Sequence, residues 1–310
     1  MENFKQNVTR DLREVAEQLA ATQAVGREYE VMRGYAGEDR VVSDVDKRRE
    51  ITNEAPLPFY KTNIPLLDEI VGVFREGQLV VVSGPTGSGK TSFCQFLTKQ
   101  FIVQEVNCLW FTYEIGFAEF LEKMPMGATP FYWPKTMREN SFDWLEQRIV
   151  EGVAKYETRV VFIDHLHYLI ALKELAEAHS VSLLVGMLMR KLKRLAIRHG
   201  LMIFLVSHLR KTEMDRSRRE EPEMDDLRDS SFTAQESDLI LMIWRLKEKI
   251  NGELVTTNDS KIAVRKNRRT GKLGFLTVAY LNGEFTEKTN RYEQSFPRGS
   301  EPEERNYSFT

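Results

Sequence analysis

The chain has 310 residues with 44 Lys plus Arg against 46 Asp plus Glu, a formal net charge of -2, with 42% apolar and 29% charged residues. That profile is a soluble globular protein long enough to bury a core without staples, and it excludes a low-complexity or fibrous chain and a global basic field for nucleic acid. Two cysteines in apolar runs, Cys94 and Cys108, without metal-ligand spacing, exclude a disulfide framework or zinc site and fit a reducing compartment.

Phe4, Val8, Leu12, Val15, Ala16 and Leu19 recur at helical spacing, and a polar stretch follows to about Thr52. Such a helix either folds back on its own domain or docks on a neighbouring copy. The acidic residues Glu2, Asp11, Glu14 and Glu17 suit neither a secretory nor a mitochondrial leader, and no run approaches 18 apolar residues, so a cytoplasmic chain without membrane contact is expected, an organelle remaining open. Pro56 and Pro58 mark a boundary, giving segments 1–55, 56–287 and 288–310.

Beyond it the pattern alternates. Apolar runs at Leu79 to Ser83, Cys108 to Thr112, Val160 to Ile163 and Leu201 to Ser207 predict strands buried on both faces. Helices are predicted from Lys90, over Phe142 to Tyr156 and over Val181 to Arg198. Together they describe an α/β fold with a mostly parallel sheet covered by helices. Short runs at Leu239 to Trp244, Ile262 to Val264 and Phe275 to Tyr280, separated by Asn251-Gly252 and Thr270-Gly271, predict an antiparallel extension. The polar segment after about Thr286 reads as a disordered tail.

Gly84, Pro85, Thr86, Gly87, Ser88, Gly89, Lys90 and Thr91 complete GxxxxGK[ST] between a strand and a helix, with Ser92 next in the helix. In such a loop backbone N–H groups curl around phosphates, Lys90 reaches the terminal phosphates and Thr91 ligates magnesium. Asp164, ending the run Val160 to Ile163, is the candidate carboxylate for the metal, the other reading being a helix cap. Glu114 follows a strand and is either the carboxylate that polarises water or an exposed surface glutamate. His208 stands at another strand end, open between γ-phosphate contact and a structural role.

His165 and His167 alternate after Asp164, but no third metal ligand is apparent, so structural roles are expected. Phe131, Tyr132 and Trp133 read as core packing before base stacking. Leu184, Leu188, Leu192 and Leu195 form the sheet-facing stripe of their helix, with Arg190, Lys191, Lys193 and Arg194 solvated beyond it. The loop after His208 carries Arg210, Lys211, Arg216, Arg218 and Arg219 among seven acidic residues; alone it reads as a solvated loop, whereas repeated around a ring it would concentrate cations in one channel.

The ordered runs GPTGSGKTSF, NCLWFTYEI, VVFIDHLHYL, FLVSHLRK, DLRDSSFTAQESDLI and VRKNRRTGKLG resemble the helicase domain of ring-shaped DnaB-like (superfamily 4) replicative helicases, and most nearly the Twinkle and bacteriophage T7 helicase-primase branch. The resemblance covers about Lys61 to Glu287. It implies a RecA-like domain that forms a hexamer, binds ATP and Mg2+ between subunits and moves on single-stranded DNA. By matching, it implies that Lys90 and Thr91 hold phosphate and metal, Glu114 activates water, Asp164 supports the metal and His208 senses the γ-phosphate. Lys266 and Arg268 would reach the neighbouring subunit's site, Arg245 and Tyr280 would sandwich the adenine, and Arg210, Lys211, Arg216, Arg218 and Arg219 would face DNA. No primase region precedes the helicase part, so priming is not expected from this chain, and a separate primase, polymerase or loader is an expected partner. A RecA/RadA-like recombinase filament and a KaiC-like regulatory or loader ATPase are the competing readings.

Overall fold

Apolar runs with no alternation force a strand to bury both faces, and the computed structural model places them in the middle of one sheet. It describes residues 17–288 apart from 18, 22, 54–57, 125–129, 140, 170–180, 210–220, 227–229 and 251–252. The chain divides into two units, Met1–Pro56 and Leu57–Thr310.

In the first unit, helices α1 (23–33) and α2 (Asp44–Asn53) occupy what reads in the sequence as a polar stretch. They have no dominant apolar stripe to announce them. Ser43 caps α2 by accepting from Asp46 N (3.1 Å), and its hydroxyl donates to Asp46 Oδ2 (2.7 Å). Pairs one turn apart line the exposed surface, Arg48 with Asp44 and Lys47 with Glu50. The Phe4 to Leu19 stripe falls almost wholly outside the described residues.

The second unit opens with a two-stranded antiparallel pair, β1 (Phe59–Tyr60) with β2 (Phe74–Arg75), flanking α3 (Pro65–Val71). The main sheet contains β3 (Leu79–Gly84), β4 (Cys108–Thr112), β5 (Val160–Asp164), β6 (Met202–His208), β7 (Leu239–Ile250), β8 (Glu253–Asn267), β9 (Gly274–Leu281) and β10 (Glu284–Glu287). Its order is β10-β9-β8-β7-β3-β6-β5-β4; the five strands from β7 to β4 pair in parallel and β8 to β10 antiparallel. Helices α4 (Lys90–Val103), α5 (Phe117–Glu122), α6 (Phe142–Tyr156), α7 (Val181–His199) and α8 (Ser230–Glu236) complete it.

The period of two assigns each strand residue to one of two cores. Val80, Val82, Trp110, Phe162, Phe204 and Ile243 pack with Phe93, Leu97 and Phe101 of α4. Leu79, Val81, Phe111, Ile163, Leu205 and Met242 pack with Leu145 and Ile149 of α6 and with Met189 and Leu192 of α7. An aromatic ladder crosses the first face, Trp110 on Phe162 at 4.6 Å and Phe162 on Phe204 at 4.9 Å between centroids. Phe131 and Trp133 join that core around Phe120, at 5.9 and 5.8 Å, while Tyr132 stacks on Tyr156 at 4.1 Å.

Leu188, Leu192 and Leu195 are buried as the helical spacing requires. Lys193 is not solvated with its neighbours: its ammonium donates to Gly77 O (2.7 Å) and Asp238 Oδ2 (2.5 Å). Only the long-range approach of β7 to β3 brings Asp238 there. The antiparallel extension is longer than the apolar runs indicate, because the β7–β8 hairpin continues through Lys247 to Lys249 and Leu254 to Thr256, where exposed polar residues pair by backbone alone. Asn251-Gly252 and the tail beyond Lys288 lie outside the described residues. Both cysteines are free and buried, and burial raises both thiol pKa values, which suits inert core packing. Among the described residues no helix is long and apolar enough to cross a membrane.

Candidate nucleotide site

The carboxyl ends of the parallel strands gather one polar residue each. β3 ends at Gly84, paired with His208 at the end of β6, and β5 ends at Asp164, paired with Thr112 at the end of β4. Such an edge, just outside the strand ends, is where open α/β sheets bind ligands.

Gly84 cannot carry a side chain here. Its φ is +155°, and a Cβ would lie 2.0 Å from the Ile243 carbonyl oxygen of the adjacent strand. Gly89, with φ +90° and ψ 19°, caps α4 in the left-handed region without a side-chain hydrogen bond, which leaves the first N–H groups of α4 facing the loop. Lys90 donates from Nζ to the carbonyls of Gly84 (3.1 Å) and Pro85 (2.9 Å), so the ammonium is folded over the phosphate-loop backbone. Its burial lowers its pKa, against the raising influence of Asp164 and Glu114. Thr86 and Gly87 are exposed, and the buried Ser88 hydroxyl has no partner among the described residues.

Thr91, one residue into the helix, donates its hydroxyl hydrogen to Asp164 Oδ2 at 2.6 Å. Asp164 is fully buried, and its Oδ1 makes no hydrogen bond with any described residue. Burial pushes its pKa up from 3.8 to about 6; the Glu114 charge adds to this, while the Thr91 hydrogen bond and Lys90 oppose it. A hydroxyl and a carboxylate with one orphaned buried oxygen form an oxygen-only donor set of the kind a hard cation such as Mg2+ takes. Glu114 lies just past β4, its backbone entering beside Tyr113, whose N–H donates to Asp164 O (2.8 Å). Its carboxylate Oε2 is 3.6 Å from His208 Nε2.

The remaining expected residues lie elsewhere. Arg268 is bound at the opposite end of the sheet: its N–H donates to Asp238 O (2.8 Å), and its exposed guanidinium stands 3.8 Å from Asp238 Oδ1. Asp238 in turn binds both ends of Leu79, donating its own N–H to Leu79 O (2.9 Å) and accepting Leu79 N–H at Oδ2 (2.8 Å). Arg268 therefore sits at the first residue of β3 while the phosphate loop begins at its last, about 16 Å along the strand. Lys266 is near Arg268, with its ammonium on the carbonyls of Ala234 and Ser237 at the end of α8. Burial and the Arg268 charge lower its pKa.

Arg245 donates to Thr257 O from Nε (3.0 Å) and Nη2 (2.7 Å). Tyr280 lies on the same sheet face two strands away, against Phe285 at 4.8 Å. Arg210, Lys211, Arg216, Arg218 and Arg219 lie outside the described residues. Two residues that the sequence does not mark as functional matter here. Asp238 has no motif around it, and its signal is only tertiary. His165 stands out in the sequence beside His167, but the side chains it meets are Glu114 and His208.

A parallel sheet with a phosphate loop, a lysine over it and a Thr–Asp pair at its edge defines a P-loop ATPase of RecA-like fold. The DnaB-like helicase C-terminal domain model matches residues 126–290, more than half of the chain, and the KaiC ATPase model matches residues 60–133. The chain belongs to the DnaB-like helicase C-terminal domain family. Among solved structures it is similar to an ATPase domain solved on its own, with a TM-score of 0.62 and 17% identity over 79% of this chain and 97% of that one. It is also similar to a DnaB-like replicative helicase described in its interactions with primase, with a TM-score of 0.64 and 17% identity over 91% of this chain and 77% of that one. Family membership assigns an ATPase/helicase role in replication, a class that uses ATP with Mg2+.

Proposed function

We propose that this chain is an ATP-driven, ring-forming DNA helicase or translocase, a hexamer of the Twinkle and bacteriophage T7-like branch that moves on single-stranded DNA, in the cytoplasm or wherever the replicating DNA lies. The observation that carries the proposal is the separation of Arg268 from its own phosphate loop. A guanidinium tied to the first residue of β3 cannot reach a phosphate held at the last residue of the same strand. It can serve only in the site of another copy, and a ring supplies that copy for every subunit.

In this reading the N–H groups at the start of α4 and the Lys90 ammonium bind the phosphates, Lys90 leaving its own loop carbonyls to do so. Thr91 and Asp164 would hold Mg2+, whose charge would offset the charge developing on the phosphoryl oxygens. Glu114 orients and polarises the attacking water, and His208, beside it, touches the γ-phosphate. Lys266 and Arg268 complete the neighbour's site, and Arg245 and Tyr280 flank the base. The loop with Arg210, Lys211, Arg216, Arg218 and Arg219 faces DNA in the pore, and a separate primase, polymerase or loader acts as a partner.

The deciding experiment is an ATPase assay with and without single-stranded DNA, with particle images from the same sample. Stimulation by DNA together with closed rings is the expected result. Open filaments would move the chain to the recombinases. ATPase activity indifferent to DNA would favour a KaiC-like regulatory role, the class matched over residues 60–133.

A further inference from the structure

Beside the oxygen-only Thr91–Asp164 pair lies a second donor set of different chemistry. Glu114 follows β4, His165 follows β5 and His208 ends β6, and one ligand atom from each lies within 4.8 Å of the others. The imidazoles of His165 and His208 stand at 90° with centroids 4.7 Å apart, and Glu114 Oε2 is 3.6 Å from His208 Nε2. Tyr168 packs on His165 at 4.9 Å and stacks on Tyr113 at 5.6 Å, which holds the His165 ring towards the strand ends. Both histidines are partly buried and Glu114 is exposed.

Two imidazoles and a carboxylate, with the fourth side open to water, are a ligand set for zinc and its neighbours among the divalent transition metals, not for Mg2+. A tetrahedral ion with bonds of about 2.0–2.1 Å needs its ligand atoms roughly 3.3 Å apart. The Glu114–His208 pair is already near that spacing, and rotation of the exposed Glu114 side chain closes the rest.

We propose that Glu114, His165 and His208 form a binding site for one zinc-class divalent ion, separate from the magnesium position, and that its occupancy switches hydrolysis off. An ion there takes the Glu114 carboxylate as a ligand, so that carboxylate no longer orients the attacking water. The inhibitory half rests on the role proposed for Glu114; the binding half does not.

The test uses the full chain without an affinity tag. Titration with Co2+ alone is expected to give a visible absorption band that saturates at one equivalent and is displaced by Zn2+. His165→Ala should abolish the band and weaken Zn2+ binding, read by competition with a chromophoric chelator, by at least about tenfold, the lower end of what loss of even an outer partner of a metal ligand costs. If circular dichroism shows that His165→Ala does not fold, Glu114→Gln gives the same readout. In excess Mg2+ and ATP, micromolar Zn2+ should inhibit the wild-type chain but leave His165→Ala near its own zinc-free rate. No cobalt band, or equal zinc affinity in chain and variant, overturns the site; equal inhibition of both overturns the switch. A chain that binds cobalt in this way yet hydrolyses no ATP would remove the helicase reading and leave the site standing.

Discussion

Thr91 and Asp164, 73 positions apart in sequence, share a 2.6 Å hydrogen bond, while the second oxygen of that carboxylate is buried with no described partner. The pair joins the first turn of the helix after the phosphate loop to the end of a strand two places away in the sheet. An ionised carboxylate held this way is costly until a cation reaches it.

That cost has a pH signature. Asp164 titrates near pH 6 in the folded chain and near 3.8 when unfolded, so between these values the native state keeps a proton that the unfolded state has lost. Stability conferred by the proton is therefore present below about pH 4 and lost as pH rises to about 6. Asp164→Asn should gain on the wild type across that window by up to about 3 kcal/mol, with no further gain above it. Urea denaturation from pH 4 to 7, without nucleotide or Mg2+, measures this, and parallel curves for the two proteins would refute it.

The distance between Arg268 and its own phosphate loop predicts complementation. Lys90→Ala should abolish hydrolysis. Arg268→Ala should lower the ATPase rate by about 10³-fold or more while leaving nucleotide binding largely intact. Mixed in equal amounts, the two inactive variants should recover measurable activity, because some interfaces then pair an intact phosphate loop with an intact arginine. A mixture as inactive as its parts would place Arg268 outside the neighbour's site.

The loop after His208 predicts a salt effect. Replacing Lys211, Arg216 and Arg218 together by alanine should reduce the salt slope of single-stranded DNA binding by about 2, at roughly 0.7 for each phosphate that is no longer neutralised. DNA-stimulated ATPase activity should fall with it, whereas the rate without DNA stays. Fluorescence anisotropy at several salt concentrations reads the slope.

Ser141 accepts a hydrogen bond from Trp144 N (3.2 Å) and so caps α6 far from the nucleotide edge. Ser141→Ala should cost about 1 kcal/mol, a melting-temperature loss of roughly 2–4 °C, with ATPase activity unchanged below the transition. A loss of activity at ambient temperature would show that α6 does more than cover the sheet.

The strands that needed no partner to be recognised were those whose residues are apolar on both faces: Leu79 to Val82, Cys108 to Phe111, Val160 to Ile163 and Leu201 to Val206. Burial on both sides permits few other residues, so composition reports it directly. The phosphate loop was equally legible, because a chain that wraps phosphate with its backbone needs glycine at fixed intervals and a lysine just beyond. Helices α1 and α2 were not, since capping and charge pairs leave no apolar period to read. The partner of Lys193, the place of Arg268 at the far end of β3 and the meeting of His165 with Glu114 and His208 were decided by tertiary structure alone. Each depends on which strands lie side by side and in what register, and that is a property of the whole sheet, which no local run of residues encodes.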